Sequence, residues 1–436
     1  MRQIAEHRWP FPKQSPGLMA MQALFGDVQP FELSCFKELG RFIVSLSAVL
    51  TRHVLSGRAL SFEKETGIEQ VKMLLGDGLI TSEGEFWRDQ RQHLQPAFKV
   101  KHLNLMYAVQ TLSHAAGLEK YSMSRRDDGW FAIGRFGLDH FIVLRNALYF
   151  IFGNRMHTLD GANGDKQYDF VHKWRKRDLP FVKITRVKKP IIRAMITDIR
   201  NNALEPTSIL KNLANSISNT SVKLMAKSAN VDDVITLIIS GHEATAASRS
   251  RSWMWVLLAE NTEWLDMIDR ETNAITPPRN EQVQAFLQQY PQSRALVMET
   301  LTLCPLGWMH IRRALGTANI VGIELHKGDE IWLPVYWLNL NLPYWFEPEP
   351  FQPQCFLPAM TEQLNKAAYL PFSSGSRVCT GKEIALVALL FQLKWFLANY
   401  SLELLTQQSV DIDVSVNLRL AQPIWSTYQK KQGEGS

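Results

Sequence analysis

Cys379 is the residue whose neighbours most constrain a chemistry. It stands at the mouth of an apolar helix pattern, after Gly375 and Arg377 and before Gly381, within YLPFSSGSRVCTGKEIALVALLFQLKWFL. Helix N-terminal amides and a nearby guanidinium both favour a thiolate over a thiol. The flanking glycines permit positive φ and let a large flat ligand lie against the backbone. Such a loop suits one soft, anionic ligand offered to a metal. A phosphate-binding loop is excluded, because GxxxxGK must be followed by Ser or Thr, whereas Gly375 and Gly381 are too far apart and Lys382 precedes Glu383. A nucleophilic cysteine enzyme stays open, although no histidine is placed by motif as its base.

A second constellation lies in VDDVITLIISGHEATAASRSRSWMWVLLAEN, whose apolar residues predict a long helix over 231–258. At its centre, Ser240-Gly241-His242-Glu243-Ala244-Thr245 places a carboxylate beside a glycine, which costs about 1 kcal/mol relative to alanine in a helix interior. A glycine there marks a close approach to the backbone, with a surface kink as the alternative. HExxH zinc chemistry fails, because Ala246 occupies the place of the second histidine.

The elements that must position these residues are mostly helical. Apolar positions recur at helical spacing over 71–75, 87–98 and 136–152, with Gly153-Asn154 as a stop. Residues 41–50 read as strand or helix, and short strand-like runs at 320–325 and 330–335 follow. The expected fold class is mainly α with small β-sheets (α+β), in one domain spanning 1–436, since no repeat or linker divides the chain. With 46% hydrophobic and 21% charged residues, disorder is excluded for most of the chain. The balance of 48 Lys+Arg against 42 Asp+Glu, with aromatics scattered through apolar segments, gives no reason to expect nucleic acid. Four cysteines without a CxxC pair suit reduced thiols in a cytosol. No signal peptide or membrane anchor is visible at the N-terminus, so a cytoplasmic monomer without a membrane is expected. The length leaves little room for a fused redox domain, so an oxidoreductase of this size would draw electrons from elsewhere.

Phe372, Gly375, Arg377, Cys379, Gly381 and Ala385 fit FxxGxRxCxG followed by a small residue. This window resembles the haem-binding signature of the cytochrome P450 family. The resemblance implies haem b, with Cys379 as the proximal thiolate, Phe372 packed near the sulfur, Arg377 on a propionate, and Gly375 and Gly381 in the loop itself. Trp87 and Arg91 resemble the family's WxxxR helix, and Arg312 resembles its strand-start arginine; all would reach propionates. Also implied are a small-molecule substrate, oxidation by O2, and an external ferredoxin-type or flavodoxin-type electron donor.

Two departures accompany the resemblance. Ser240, Gly241 and Glu243 match the oxygen-activating helix, but Ala244 stands where the family has threonine. Thr245, one residue later, is rotated by about 100° on a helix. Without that hydroxyl, proton delivery falls to Glu243, an ordered water or a substrate hydroxyl. The family's ExxR motif reads Glu299 to Thr302, and its second arginine position is Cys355. Glu299 is therefore expected either to be exposed or to find another base, with His310 and Arg294 as candidates. The implied function is oxidation of a specialised metabolite, with coupling or cyclisation as plausible as hydroxylation. The alternatives are a peroxide-dependent or isomerising haem-thiolate enzyme and a non-catalytic haem-binding protein. A basic stretch at 172–200, within a lid region of about 165–215, reads first as a solvated helix-loop-helix surface, with an acidic carrier protein or an anionic substrate as the alternative partner.

Overall fold

The computed structural model describes residues 31–33, 41–57, 61–64, 68–98, 122–125, 131–134, 146–147, 151, 226–241, 247–274, 286, 288–339, 344–345, 351–364, 367–404, 412–414, 418–420 and 425–431. The basic stretch at 172–200 and most of the expected helix over 136–152 lie outside them. The strands are β1 (Phe31–Leu33), β2 (Phe42–Val44), β3 (Phe62–Lys64), β4 (Ser122–Arg125), β5 (Phe131–Gly134), β6 (His310–Ala314), β7 (Ala318–Ile320), β8 (Ile323–Leu325), β9 (Glu330–Leu333), β10 (Tyr400–Leu404), β11 (Ile412–Val414), β12 (Leu418–Leu420) and β13 (Trp425–Lys430). The helices are α1 (Ala48–Arg52), α2 (Ile68–Leu75), α3 (Gly84–Leu94), α4 (Ala226–Ile239), α5 (Ala247–Glu260), α6 (Thr262–Ala274), α7 (Pro291–Leu303), α8 (Val335–Asn339) and α9 (Lys382–Asn399). The chain divides into two compact units, the larger formed by 1–65, 110–142 and 244–436 and the smaller by 66–109 and 143–243.

The larger unit holds all the described strands. A five-stranded sheet runs in the order β1-β2-β9-β6-β3, and a four-stranded one in the order β10-β13-β5-β4. Only the β2–β9 pairing of the first sheet is parallel. Residues 41–50, legible as strand or helix, are both: β2 passes into α1 at Ser47, whose side chain caps the Leu50 amide. The run at 320–325 is not one strand. Ile320 pairs with Ile323, and the intervening Val321 and Gly322 have φ of 54° and 83°, the two left-handed residues of a tight hairpin. The run looks continuous in sequence because both arms carry apolar side chains toward the same face.

Helix α9 is the centre of the helical layer. Every residue from Ala385 to Lys394 is buried, as are Phe396 and Leu397, so all its faces are covered, which is how a helix without a polar side must sit. Trp255 of α5 meets Phe396 of α9 edge to face at 5.9 Å. Lys394 is the charged residue in this buried stretch, only 6% exposed. Its ammonium donates to Thr272 Oγ1 at 2.9 Å, lies 3.7 Å from Glu271 and sits 3.6 Å over the Tyr290 ring. Glu271 also accepts the Gln292 and Ser293 amides at the start of α7, so this pair ties α6, α7 and α9 together.

Burial pushes the Lys394 ammonium down to about 7, although Glu271 pulls it up. Above about pH 7 the folded protein has released a proton that the unfolded chain keeps until about 10.5, so stability rises with pH across that window. Lys394→Met is expected to flatten this rise, measured as unfolding free energy from pH 7 to 10. An undiminished slope in the variant would assign the effect to another group.

In the smaller unit α2, α3 and α4 are described, with a turn at 76–82 between the first two. Helix α4 continues into Ser240 and Gly241, where the Ser240 hydroxyl bonds back to the Thr236 carbonyl at 2.6 Å. Helix also resumes at Ala247 in the larger unit, so both flanks of the expected 231–258 helix are helical.

Candidate functional site

The cysteine loop is fixed by backbone contacts on both sides of Cys379. Its N–H donates to the Phe372 carbonyl at 2.9 Å, and Val378 N–H donates to Gly375 O at 3.1 Å across a short 3-10 turn, Gly375–Arg377. Helix α9 then begins at Lys382, with Gly381 as an N-cap that supplies no side-chain bond. Its first amides therefore lack intrahelical partners and set a positive field beside Cys379. The thiol is exposed, whereas Cys304 and Cys355 are buried. Burial pushes the Cys304 thiol well up, reinforced by the charge of Glu299, so Cys304 is an inert thiol by contrast.

Gly375 is needed for two reasons. Its φ is +70°, and a Cβ there would run into the Leu55 carbonyl oxygen. The Ser56 and Ser374 hydroxyls bond at 2.8 Å beside this contact, so the single π-type turn His53–Gly57 is the platform on which the cysteine loop rests. Nothing in the loop motif points to residues 53–57, whose Val54 and Leu55 are buried only once the chain has folded. Gly375→Ala is expected to cost more than about 2 kcal/mol, since the left-handed conformation alone accounts for about 1–2 kcal/mol. The check is chemical unfolding of the variant together with its haem content.

The adjacent arginines on β6 have different partners. Arg313 faces Glu63 on β3 and holds its carboxylate with Nε at 2.8 Å and Nη2 at 2.7 Å. Arg312, pointing to the other face of the strand, bonds the Ile311 carbonyl through Nη1 at 2.8 Å. His310 shares that face two residues earlier. Its Nε2 is buried with no hydrogen-bond partner, and burial together with the Arg312 guanidinium pushes the imidazole down to about 3. A neutral imidazole and a guanidinium on one strand face are ready donors for a carboxylate.

Glu299 on α7 is 1% exposed, so the expectation of an exposed carboxylate is corrected. Its Oε1 accepts the Gln352 N–H at 2.9 Å. Gln352 Oε1 in turn accepts from the Cys355 thiol at 3.4 Å. Thr302 turns back on its own helix, donating to Met298 O at 3.0 Å, while its carbonyl accepts from Asn339 at 2.8 Å. The positions where the family keeps arginines thus join neutral hydrogen bonds. His310 is instead coupled to Arg312, and Arg294 acts with Glu299 on Tyr369, whose hydroxyl burial and Glu299 push up while Arg294 opposes them.

In the smaller unit Trp87 and Arg91 stand four residues apart on α3, hence on one face. Trp87 is buried, and Arg91 Nε donates to Gln95 at 3.2 Å. Glu243, Ala244 and Thr245 lie outside the described residues.

Among known proteins, the family model "Cytochrome P450" matches residues 147–424. Cytochrome P450 97B2, chloroplastic, from Glycine max is 23% identical over 89% of this chain and 79% of its own. Cyclooctat-9-en-7-ol 5-monooxygenase from Streptomyces melanosporofaciens is 24% identical over 77% of this chain and 75% of its own. Among solved structures, the haem domain of cytochrome P450DA superposes with a TM-score of 0.78 at 17% identity, covering 95% of this chain and 92% of that one. The mainly helical architecture with small sheets is therefore the cytochrome P450 fold, and haem b is the cofactor that goes with it. With its family model matched over more than half its length, this chain belongs to the cytochrome P450 family of haem-thiolate monooxygenases, and it is an oxidoreductase.

Proposed function

We propose that this protein oxidises a specialised small-molecule metabolite with O2, using electrons from a separate ferredoxin-type or flavodoxin-type donor. The observation that carries the reading is the exposed Cys379 at the N-terminal, amide-bearing end of α9, on a loop locked by Phe372 and Gly375. The donor set suits haem: one soft thiolate, Arg377 in the same loop, and a buried, unpartnered imidazole nitrogen beside Arg312. In this reading Cys379 would hold the iron, while Arg312, Arg377, Trp87 and Arg91 would hold the propionates. When bound, haem supplies the oxygen-activating chemistry, which thiolate donation favours. The family resemblance and the single cysteine loop also support treating 1–436 as one haem-binding domain.

The chain's own residues then bind the substrate and deliver protons. Ala244 offers no hydroxyl, so Glu243, water or a hydroxyl of the substrate passes the proton. The Streptomyces relative, named for oxygenating cyclooctat-9-en-7-ol, supports a small organic substrate. Among the described residues no helix is long and apolar enough to cross a membrane, which suits the cytoplasmic location proposed here.

The test is turnover of candidate metabolites by the holoenzyme with a ferredoxin, its reductase and O2, against peroxide alone. Dependence on the redox partners is expected; equal turnover with peroxide would replace this reading with the peroxide-dependent one. Ala244→Thr is expected to change the ratio of product to reductant consumed by at least about twofold, a small part of the roughly hundredfold range of acid–base contributions. An unchanged ratio would refute substrate- or water-based proton delivery.

A further inference from the structure

Helix α3, which carries Trp87 and Arg91, is gripped through one buried amide side chain. Gln90 Nε2 donates to the Asp77 carbonyl at 2.7 Å and to Asp233 Oδ1 at 3.1 Å, and its Oε1 accepts from the Ser82 hydroxyl. Asp233 Oδ1 also accepts the Leu79 N–H at 2.9 Å. Gln90 is 8% exposed and Asp233 3%. The turn that joins them is pressed onto α4. Asp77 N–H donates to Asp232 Oδ2 at 3.2 Å, and Thr81 Oγ1 closes the turn on the Gly76 and Gly78 carbonyls. A Cβ on Gly76, whose φ is +74°, would enter the Asp232 carboxylate, and one on Gly78 would strike Thr236 Oγ1.

Burying a carboxylate is costly, and packing a turn on a helix does not require one. What this carboxylate adds is register. Successive residues on a helix are about 100° apart, so fixing Gln90 fixes which side chains α3 presents at Trp87 and Arg91. We propose that Asp233 is the positioning residue for α3, holding it through Gln90 in the rotation that offers Trp87 and Arg91 to haem carboxylates. The proposal rests on reading Trp87 and Arg91 as propionate-binding.

The grip is sensitive to pH. Burial pushes Asp233 up to about 7; the Leu79 and Gln90 hydrogen bonds oppose this and the charge of Asp232 adds to it. Asp232 is the titratable neighbour on α4, while the Asp77 carboxylate turns outward to Lys72 at 2.8 Å, and Glu85, Arg88 and Asp89 of α3 are exposed. Because the folded value lies above the ordinary 3.8, the stabilisation is complete below that value and is lost as pH rises through about 7. Haem loss is therefore expected to quicken between pH 6 and 8.

The experiment is haem transfer from the holoenzyme to excess apomyoglobin. Asp233→Ala is expected to speed haem loss about tenfold, the lower end of what partners of a cofactor's holders contribute. Asp233→Asn, which keeps the Oδ1 acceptor, should stay within about threefold of the parent and lose the rise between pH 6 and 8, the rescue and pH signature of positioning. Arg91→Ala should speed loss on its own, and the Arg91→Ala/Asp233→Ala double variant should be no faster than the faster single one. If Asp233→Ala yields no holoenzyme, Gln90→Leu carries the same expectation. A parental rate for Asp233→Ala alongside fast loss from Arg91→Ala, or an additive double variant, would overturn the positioning role. A parental rate for Arg91→Ala would instead overturn the propionate reading beneath it.

Discussion

Replacing Cys379 with alanine is expected to abolish the red-shifted Soret band of the reduced carbon monoxide complex and to lower turnover by more than about a hundredfold. The magnitude follows from the roughly 10–100-fold cost of disturbing groups that merely support a metal ligand; removing the ligand itself exceeds it. The fold should survive, because Cys379 is exposed and the loop is held by its neighbours' backbone, the Phe372 carbonyl, Gly375 and the Ser56–Ser374 pair. Unfolding of the apo-protein should therefore stay within about 0.5 kcal/mol of the parent, the usual range for surface changes. A thiolate-type spectrum that persists in the variant would place the iron ligand elsewhere.

Glu299→Ala is expected to have the opposite signature, a large loss of stability of about 3 kcal/mol or more. The carboxylate is buried on α7 and receives the Gln352 N–H; truncation leaves that amide unsatisfied, at about 1–3 kcal/mol, and opens a cavity against the Pro353–Phe356 turn. Glu299→Gln keeps an acceptor for the amide and should lose less than half as much. Thermal and chemical unfolding of the two variants measure this directly. A neutral Glu299→Ala would show that the hydrogen bond to Gln352 does not hold the turn. Restoring arginine through Thr302→Arg and Cys355→Arg should not improve haem retention, because both positions are buried and their side chains already hydrogen-bond to Met298 and Gln352.

The two departures from the family pattern were legible from sequence in different degrees. Thr302 and Cys355 announce that arginines are missing, but not what replaces them. One group that Glu299 does meet is a backbone N–H, fifty-three positions along the chain, and every residue type but proline carries that group. Of the two outcomes the sequence suggested, exposure is overturned by burial, and the backbone donor at Gln352 is a contact that no motif could announce. Likewise Arg312 and Arg313 are equivalent as letters. Pairing β6 with β3 sets Arg313 opposite Glu63 and leaves Arg312 beside His310. The hairpin within 320–325 escaped because left-handed Val321 is a property of the backbone, against the preference of a β-branched side chain.

By itself, the sequence carried the family signature on which the proposed haem-thiolate chemistry rests, since its phenylalanine, glycines, arginine, cysteine and the start of an apolar helix are contiguous. Its composition and periodicities also determined a mainly helical fold with small sheets. Only the tertiary structure decided that residues 53–57 support that loop, that Lys394 ties three helices together, and that Asp233 reaches Gln90 across most of the smaller unit's sequence. Each of these depends on a buried polar group finding its partner from a distant segment, and burial is a property of the packed chain.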